Sequence, residues 1–282
     1  MNFFSSRNSP AIRRHAVALS VSVFLLAACT TPPVTTASLS ADRIAAIIAS
    51  PDRSAADRTN DIRRKPAEML AFIGVRPGMT ALDVSAARGY TTELIARAVG
   101  PAGKVYGQNP PRDAGRAPPA QPEGMAAPPV AQAPVAPAAT LVERARNPAT
   151  SNITPVTRSF EDPVPPELAA GSLDLVTLMF NYHDFGHMGV DRARMNRALF
   201  AALKPGGVYV IADHSGRSGT GISEAGTLHR VEEAFVQQEV EAAGFRLAAR
   251  GDFMRNPADP RDRNTPQPPM PKDEFVLKFV KP

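Results

Sequence analysis

Cysteine is almost missing from this chain: Cys29 is the only one in 282 residues, so no intramolecular disulfide can staple the fold. No G-x-S-x-G elbow, no Walker-type GK[ST] turn and no Cys-His pair is present, which removes the common serine-hydrolase, P-loop and thiol-catalysis readings. An excess of one charge is also lacking. The formal charge of +5 includes Arg7, Arg13 and Arg14 of an acid-free leader; without them 29 basic residues face 27 acidic ones, a surplus of +2. That balance gives no basic surface for a nucleic acid. The apolar run from Ala16 to Ala28 is too short to span a membrane and, behind three arginines, suits the h-region of a secretory signal.

The most informative stretch is 76–109, RPGMTALDVSAARGYTTELIARAVGPAGKVYGQN. Met79 to Val84 is a short apolar run, Ser85 to Gly89 a turn of mostly small residues, and Thr92, Leu94, Ile95, Ala98 and Val99 recur at helical spacing before a second strand. Such a unit predicts an α/β fold, a Rossmann-like doubly wound sheet, with ligands at the carboxyl ends of the strands. Helices are expected from Asp42 to Ala49, capped by Ser40, and from Arg64 or Pro66 to Ile73. The polar segment Asp61 to Pro66 reads either as a solvated helix start or as a place where Arg64 or Lys65 faces a ligand.

Further along, a helix is expected from Thr140 to Arg146 and a third strand from Asn152 to Val156. A fourth strand runs from Leu173 to Phe180, followed by a helix from Val190 to Leu203 and a fifth strand from Val208 to Ala212. A helix opened by His229 and Arg230 follows, and the strands Phe245 to Ala249 and Glu274 to Val280 finish the chain. The Pro- and Ala-rich stretch 110–137 has almost no apolar periodicity and reads as an insertion within the domain, tolerated rather than built to bind a partner.

Asp83, the turn and the placement of the second strand resemble the first motif of class I S-adenosylmethionine-dependent methyltransferases. RRKPAEMLAFIGVRPGM together with the carboxy-terminal EFVLKFVKP is similar to predicted bacterial methyltransferases that carry export signals. The resemblance covers roughly residues 45 to 282. It implies a mostly parallel sheet with an antiparallel final strand, S-adenosylmethionine as cofactor, and a cofactor site at Asp83, Ser85, Ala87, Gly89, Tyr90, Asn109, Asp162 and Asn181. Ser85, Ala87 and Gly89 stand where the family has three glycines, and Asn109 where it has the acid that binds the ribose hydroxyls. An amide there loses charge assistance. If the turn requires positive φ, Ser85 and Ala87 adopt it at a cost.

Where a substrate would meet the methyl group, His183 is the candidate base, Asp184 its orienting partner and Tyr182 a pocket wall. The opposing account makes His183 a polar strand end satisfied by backbone. Two His-Asp pairs, His183-Asp184 and Asp213-His214, raise a metal site, but their spacing is not a compact metal motif and no metal is expected.

LAAC, Leu26 to Cys29, resembles a bacterial lipobox, which implies lipidation of Cys29 and anchoring to a membrane of the cell envelope. Thr30 is not the aspartate that signals inner-membrane retention, so the outer membrane is the expected destination. The resulting division is a signal peptide over 1–28, a tether over 29–41 and a methyltransferase-like domain over 42–282. Three functions fit: methyl transfer to a small molecule or envelope component, a degenerate binding module for a nucleoside-like ligand, or a structural lipoprotein without a ligand. The altered Ser85, Ala87 and Asn109 favour the second over an efficient enzyme, yet methyl transfer is the leading expectation and the binding module its runner-up.

Overall fold

The computed structural model describes residues 1–4, 38–111, 138–168, 170–266 and 270–282. The expected h-region, Cys29, most of the tether and residues 112–137 of the insertion lie outside the described residues. The chain divides into Met1–Thr35 and Thr36–Pro282, and the second unit holds every described element.

Three helices precede the sheet: α1 (Ala41–Ile48), α2 (Ala55–Arg64) and α3 (Pro66–Ile73). The Ser40 hydroxyl accepts the Arg43 N–H and caps α1, which buries Ile44 and Ile47. Pro66 opens α3 where its missing N–H costs nothing, and Gly74, at φ 73°, closes it. The central unit follows as β1 (Thr80–Val84), α4 (Tyr90–Val99) and β2 (Lys104–Asn109), with β1 and β2 parallel from Thr80 opposite Lys104 to Asp83 opposite Gly107. Next come α5 (Leu141–Arg146), β3 (Ile153–Thr157), β4 (Leu173–Met179), α6 (Asp184–His187), α7 (Arg192–Ala202) and β5 (Leu203–His214). The chain finishes with α8 (Ala225–Leu228), α9 (Glu233–Ala242), β6 (Arg246–Gly251) and β7 (Glu274–Val280).

The seven strands among the described residues lie in the order β3-β2-β1-β4-β5-β7-β6, and β7 runs antiparallel to both its neighbours. Because side chains alternate across a strand, each central strand feeds two cores. Ala81, Leu175, Val210 and Val276 pack on one face with Ile44, Leu70 and Ile95; Leu82, Val176, Ile211 and Leu277 pack on the other with Leu199, Val236 and Val240. Among the described residues no helix is long and apolar enough to cross a membrane.

Several elements differ from expectation. Residues 55–64 form a helix that the polar sequence conceals, so Asp61 to Arg64 ends α2 rather than starting a helix. His229 and Arg230 do not open α9: His229 sits at φ 49°, Val231 bridges to Ser215, and the helix begins only at Glu233. The strand order reverses between β1 and β4, and the crevice beyond their carboxyl ends is where an open α/β sheet binds ligands.

Candidate ligand site at the strand ends

The turn after β1 is left-handed at three positions, with φ of 56° at Ser85, 50° at Ala87 and 84° at Gly89. Glycine takes such angles freely, whereas the other two residues are held there at a cost. Amides at the end of β2 do the holding. Gln108 Oε1 accepts the Ser85 N–H at 3.0 Å, and Asn109 accepts the Ala87 N–H at 2.8 Å while donating to the Ala87 carbonyl at 3.0 Å. Both polar atoms of Asn109, expected at a ribose, are thus spent on the turn itself. At Gly89 the φ of 84° favours glycine, and a Cβ there would also press on the side-chain ends of Leu141 and Arg144 in α5.

Asp83 lies beneath the turn rather than on its surface. It is buried, and its carboxylate accepts the Thr92 hydroxyl at 2.6 Å and the Thr177 hydroxyl at 2.7 Å. Burial pushes its carboxyl up to about 6, against the two hydroxyls and the Arg64 charge, which favour the anion. Asp162 is tied to Arg158 by an ion pair, and Arg158 in turn donates its backbone N–H to the Asn109 carbonyl.

From the turn a chain of polar contacts crosses to β4 and β5. The Ser85 hydroxyl donates to Asn181 Oδ1 at 2.5 Å, and Asn181 Nδ2 donates to Asp184 Oδ2 at 2.7 Å. The other Asp184 oxygen lies 3.2 Å from His183 Nε2 and 3.0 Å from His229 Nδ1. His183 Nδ1 is 2.6 Å from Asp213 Oδ1, and Asp213 also accepts the backbone N–H groups of His183 and His214, each at 2.8 Å. Burial opposes a charge on His183, but Asp213 and Asp184 outweigh it and raise the imidazole to about 10. Both ring nitrogens of His183, the candidate base, thus face carboxylates, which favour its protonated form. Asp184, despite a burial penalty, is lowered to about 2 by His183 and His229.

The expectation for Tyr182 is corrected. Its ring is fully buried beside Phe185, and its hydroxyl donates to Glu239 at 2.8 Å and accepts from Asn196 at 3.1 Å, so it anchors α7 and α9 and lines no pocket. His214 is held neutral by burial and the Lys272 charge; its Nδ1 lies 3.0 Å from Glu274 without the alignment of a hydrogen bond.

The end of α2 supplies the opposite wall. Asp61 receives the Tyr90 hydroxyl at 2.6 Å and two bonds from Arg53, Arg63 pairs with Glu274 at 2.9 Å, and Arg64 stacks 3.8 Å above the Phe180 ring. Arg64, Tyr90, Met179 and Phe180 line a narrow cleft between α3, α4 and the end of β4. Within the Asp61–Pro66 segment Arg64 lines this cleft, whereas Lys65 donates to the Phe253 carbonyl.

Phe180, in the cleft wall, is at φ 61° and Lys65, next to Arg64, at φ 44°; Ser85 and Ala87 in the turn and His229 beside Asp184 are likewise at positive φ. Strain of this kind persists only where surrounding structure over-determines it, and it gathers at functional sites. His187 carries no expectation from the sequence, and His229 only that of opening a helix. The signal for His187 was its i,i+4 spacing from His183 in HDFGH.

No family model and no curated protein matches the chain. Among solved structures it is similar to a SAM-dependent methyltransferase from Aquifex aeolicus, with 16% identity, a TM-score of 0.52, and 86% of this chain and 100% of that one covered. It is likewise similar to a chain of the complex between the Haloferax volcanii Trm112 methyltransferase activator and a methyltransferase, with 16% identity, a TM-score of 0.50, and 87% and 100% covered. The shared feature is the fold, a class I methyltransferase-like sheet with its reversed last strand.

Proposed function

We propose that this chain is an S-adenosylmethionine-dependent methyltransferase of the cell envelope, anchored through a lipid on Cys29 and acting on a small molecule or an envelope component. The observation that carries the methyl-transfer reading is the left-handed turn Ser85–Gly89, held at the β1/β4 switch point and joined by hydrogen bonds to the polar end of β4. An adenosyl ligand needs such a turn so that backbone can approach it closely. The residues proposed to border it are Ser85, Ala87, Gly89, Tyr90 and Asn181, with Asp83 supporting the turn from below.

With both nitrogens of His183 facing carboxylates, the acceptor that asks least of the site is one that is nucleophilic without losing a proton, such as a thioether or an aromatic amine. Methyl transfer then asks the protein mainly for alignment. Anchoring rests on the Leu26–Cys29 motif, and Cys29→Ser should move the protein from the membrane to the soluble fraction; unchanged fractionation overturns it.

A second reading is favoured by Asn109. With its amide committed to Ala87, no acid stands at the end of β2 for a ribose, as expected of a degenerate nucleoside-binding module. Calorimetric titration with S-adenosylmethionine and S-adenosylhomocysteine tests both. Micromolar binding, about 8 kcal/mol, that vanishes in Gly89→Val supports the turn as the ligand site, and turnover of an acceptor then separates enzyme from binder. Absence of heat with either compound refutes both.

A further inference from the structure

All four described histidines, His183, His187, His214 and His229, gather at one rim although they come from three separate parts of the chain. Three of them surround one oxygen. Asp184 Oδ1 lies 3.2 Å from His183 Nε2, 3.0 Å from His229 Nδ1 and 3.9 Å from His187 Nδ1. His183, Asp184 and His229 each offer one donor atom, and the three atoms lie within 4.8 Å of one another.

Imidazole and carboxylate ligands stand about 2.0–2.2 Å from a zinc-sized ion. Two ligands of one tetrahedral or octahedral shell are then about 3.0–3.5 Å apart, and the two Asp184 separations fall in that interval. The surroundings match a metal's outer shell too. Asp213 contacts Nδ1 of His183, turning Nε2 toward Asp184, and is itself fixed by two backbone N–H groups. Asn181 holds the second oxygen of Asp184, leaving the first for coordination. Carboxylate-histidine pairs of this kind orient ligands and raise their basicity. His229 is carried to the rim on a left-handed backbone, a conformation a histidine adopts at a cost.

We propose that His183, Asp184 and His229 form a binding site for a divalent transition-metal ion, with Asp213 and Asn181 as its outer shell and His187 within reach as a fourth ligand. Two imidazoles and one carboxylate select zinc-like ions over calcium or magnesium, which prefer all-oxygen shells. The site does not depend on the methyl-transfer reading, since the donor geometry stands without any adenosyl ligand.

The test uses the untagged full-length chain in detergent, stripped with a chelator and titrated with Zn²⁺ against a competing chelator, and with Co²⁺ followed by its visible absorption. One ion per chain is expected, bound at least 100-fold more tightly than Mg²⁺. His229→Gln should abolish the Co²⁺ spectrum, and Asp213→Asn should weaken Zn²⁺ about 10- to 100-fold. Thermal midpoints separate loss of ligand from loss of fold: Zn²⁺ should raise the midpoint of the native chain and leave that of a folded His229→Gln unmoved. No uptake by the native chain, or uptake and a midpoint shift that survive His229→Gln, overturns the site. Adenosyl binding is measured on the same stripped sample, so failure here is distinguishable from failure of the methyl-transfer reading.

Discussion

Replacing Ala87 by glycine should stabilise the protein, although it deletes a methyl group from its most ligand-like turn. Ala87 is exposed and sits at φ 50°, and Asn109 binds its backbone N–H and carbonyl, which a glycine would keep. A left-handed non-glycine residue costs about 1–2 kcal/mol in the folded state. Glycine returns about 0.4–1 kcal/mol of that through a more flexible unfolded chain, leaving a net gain between about 0 and 1.6 kcal/mol and centred on about 0.8 kcal/mol. For a domain of this size each kcal/mol moves the thermal midpoint by about 2–4 °C, so a rise of about 1–4 °C is expected. Thermal unfolding followed by far-ultraviolet circular dichroism reads it, with Ala87→Val as the opposite control, since a β-branched residue resists positive φ more than alanine does. Ser85→Gly makes a poorer test because it also removes the hydroxyl bonded to Asn181. A lower midpoint for Ala87→Gly would refute the claim that the turn is held against its sequence.

Two other perturbations follow from buried charge. Burial raises the folded-state pKa of Asp83 from 3.8 to about 6, so the folded state holds this proton more tightly than the unfolded one. The associated stability is complete below about pH 4 and is lost as pH rises through about 6, by an amount on the order of 3 kcal/mol. Asp83→Asn should flatten that fall and raise the midpoint at pH 7.5; an unchanged pH profile would sink the assignment. Arg144, also buried, makes two 2.9 Å bonds to Asp57, pairs with Glu93 and donates to the Arg88 carbonyl. Arg144→Met should cost about 3–5 kcal/mol, much of it from leaving Asp57 buried and unpaired. Adding Asp57→Asn should restore part of the loss in a double-mutant cycle, and strictly additive effects would argue against the pairing.

The legible parts of this chain were those written in local periodicity. The turn from Ser85 to Gly89 and its helix follow from spacing, and β7 spans the residues expected of it, a nearly continuous apolar run because both faces of the sheet are covered. α2 was illegible for the opposite reason. AADRTNDIRR has no apolar stripe, and partners remote in sequence hold it: Asp57 meets Arg144 and Arg63 meets Glu274. Tyr182 looked like a pocket wall because it adjoins polar strand-end residues, yet Asn196 and Glu239 give its hydroxyl partners inside the core. The pairing of His183 with Asp213 joins two strand ends that only the sheet order brings side by side.

That sheet order also bears on when the molecule can exist. β7 follows β6 in the chain yet lies between β6 and β5, so the two cannot be joined until β7 arrives. Until then β5 presents an open edge, Arg63 lacks Glu274, and the β-side of the rim is unfinished. Closure over so many intervening residues is slow, because loop entropy is spent before the contacts reward it. The last described strand is therefore the latch of the sheet, the piece whose arrival joins β6 to the strands already in place.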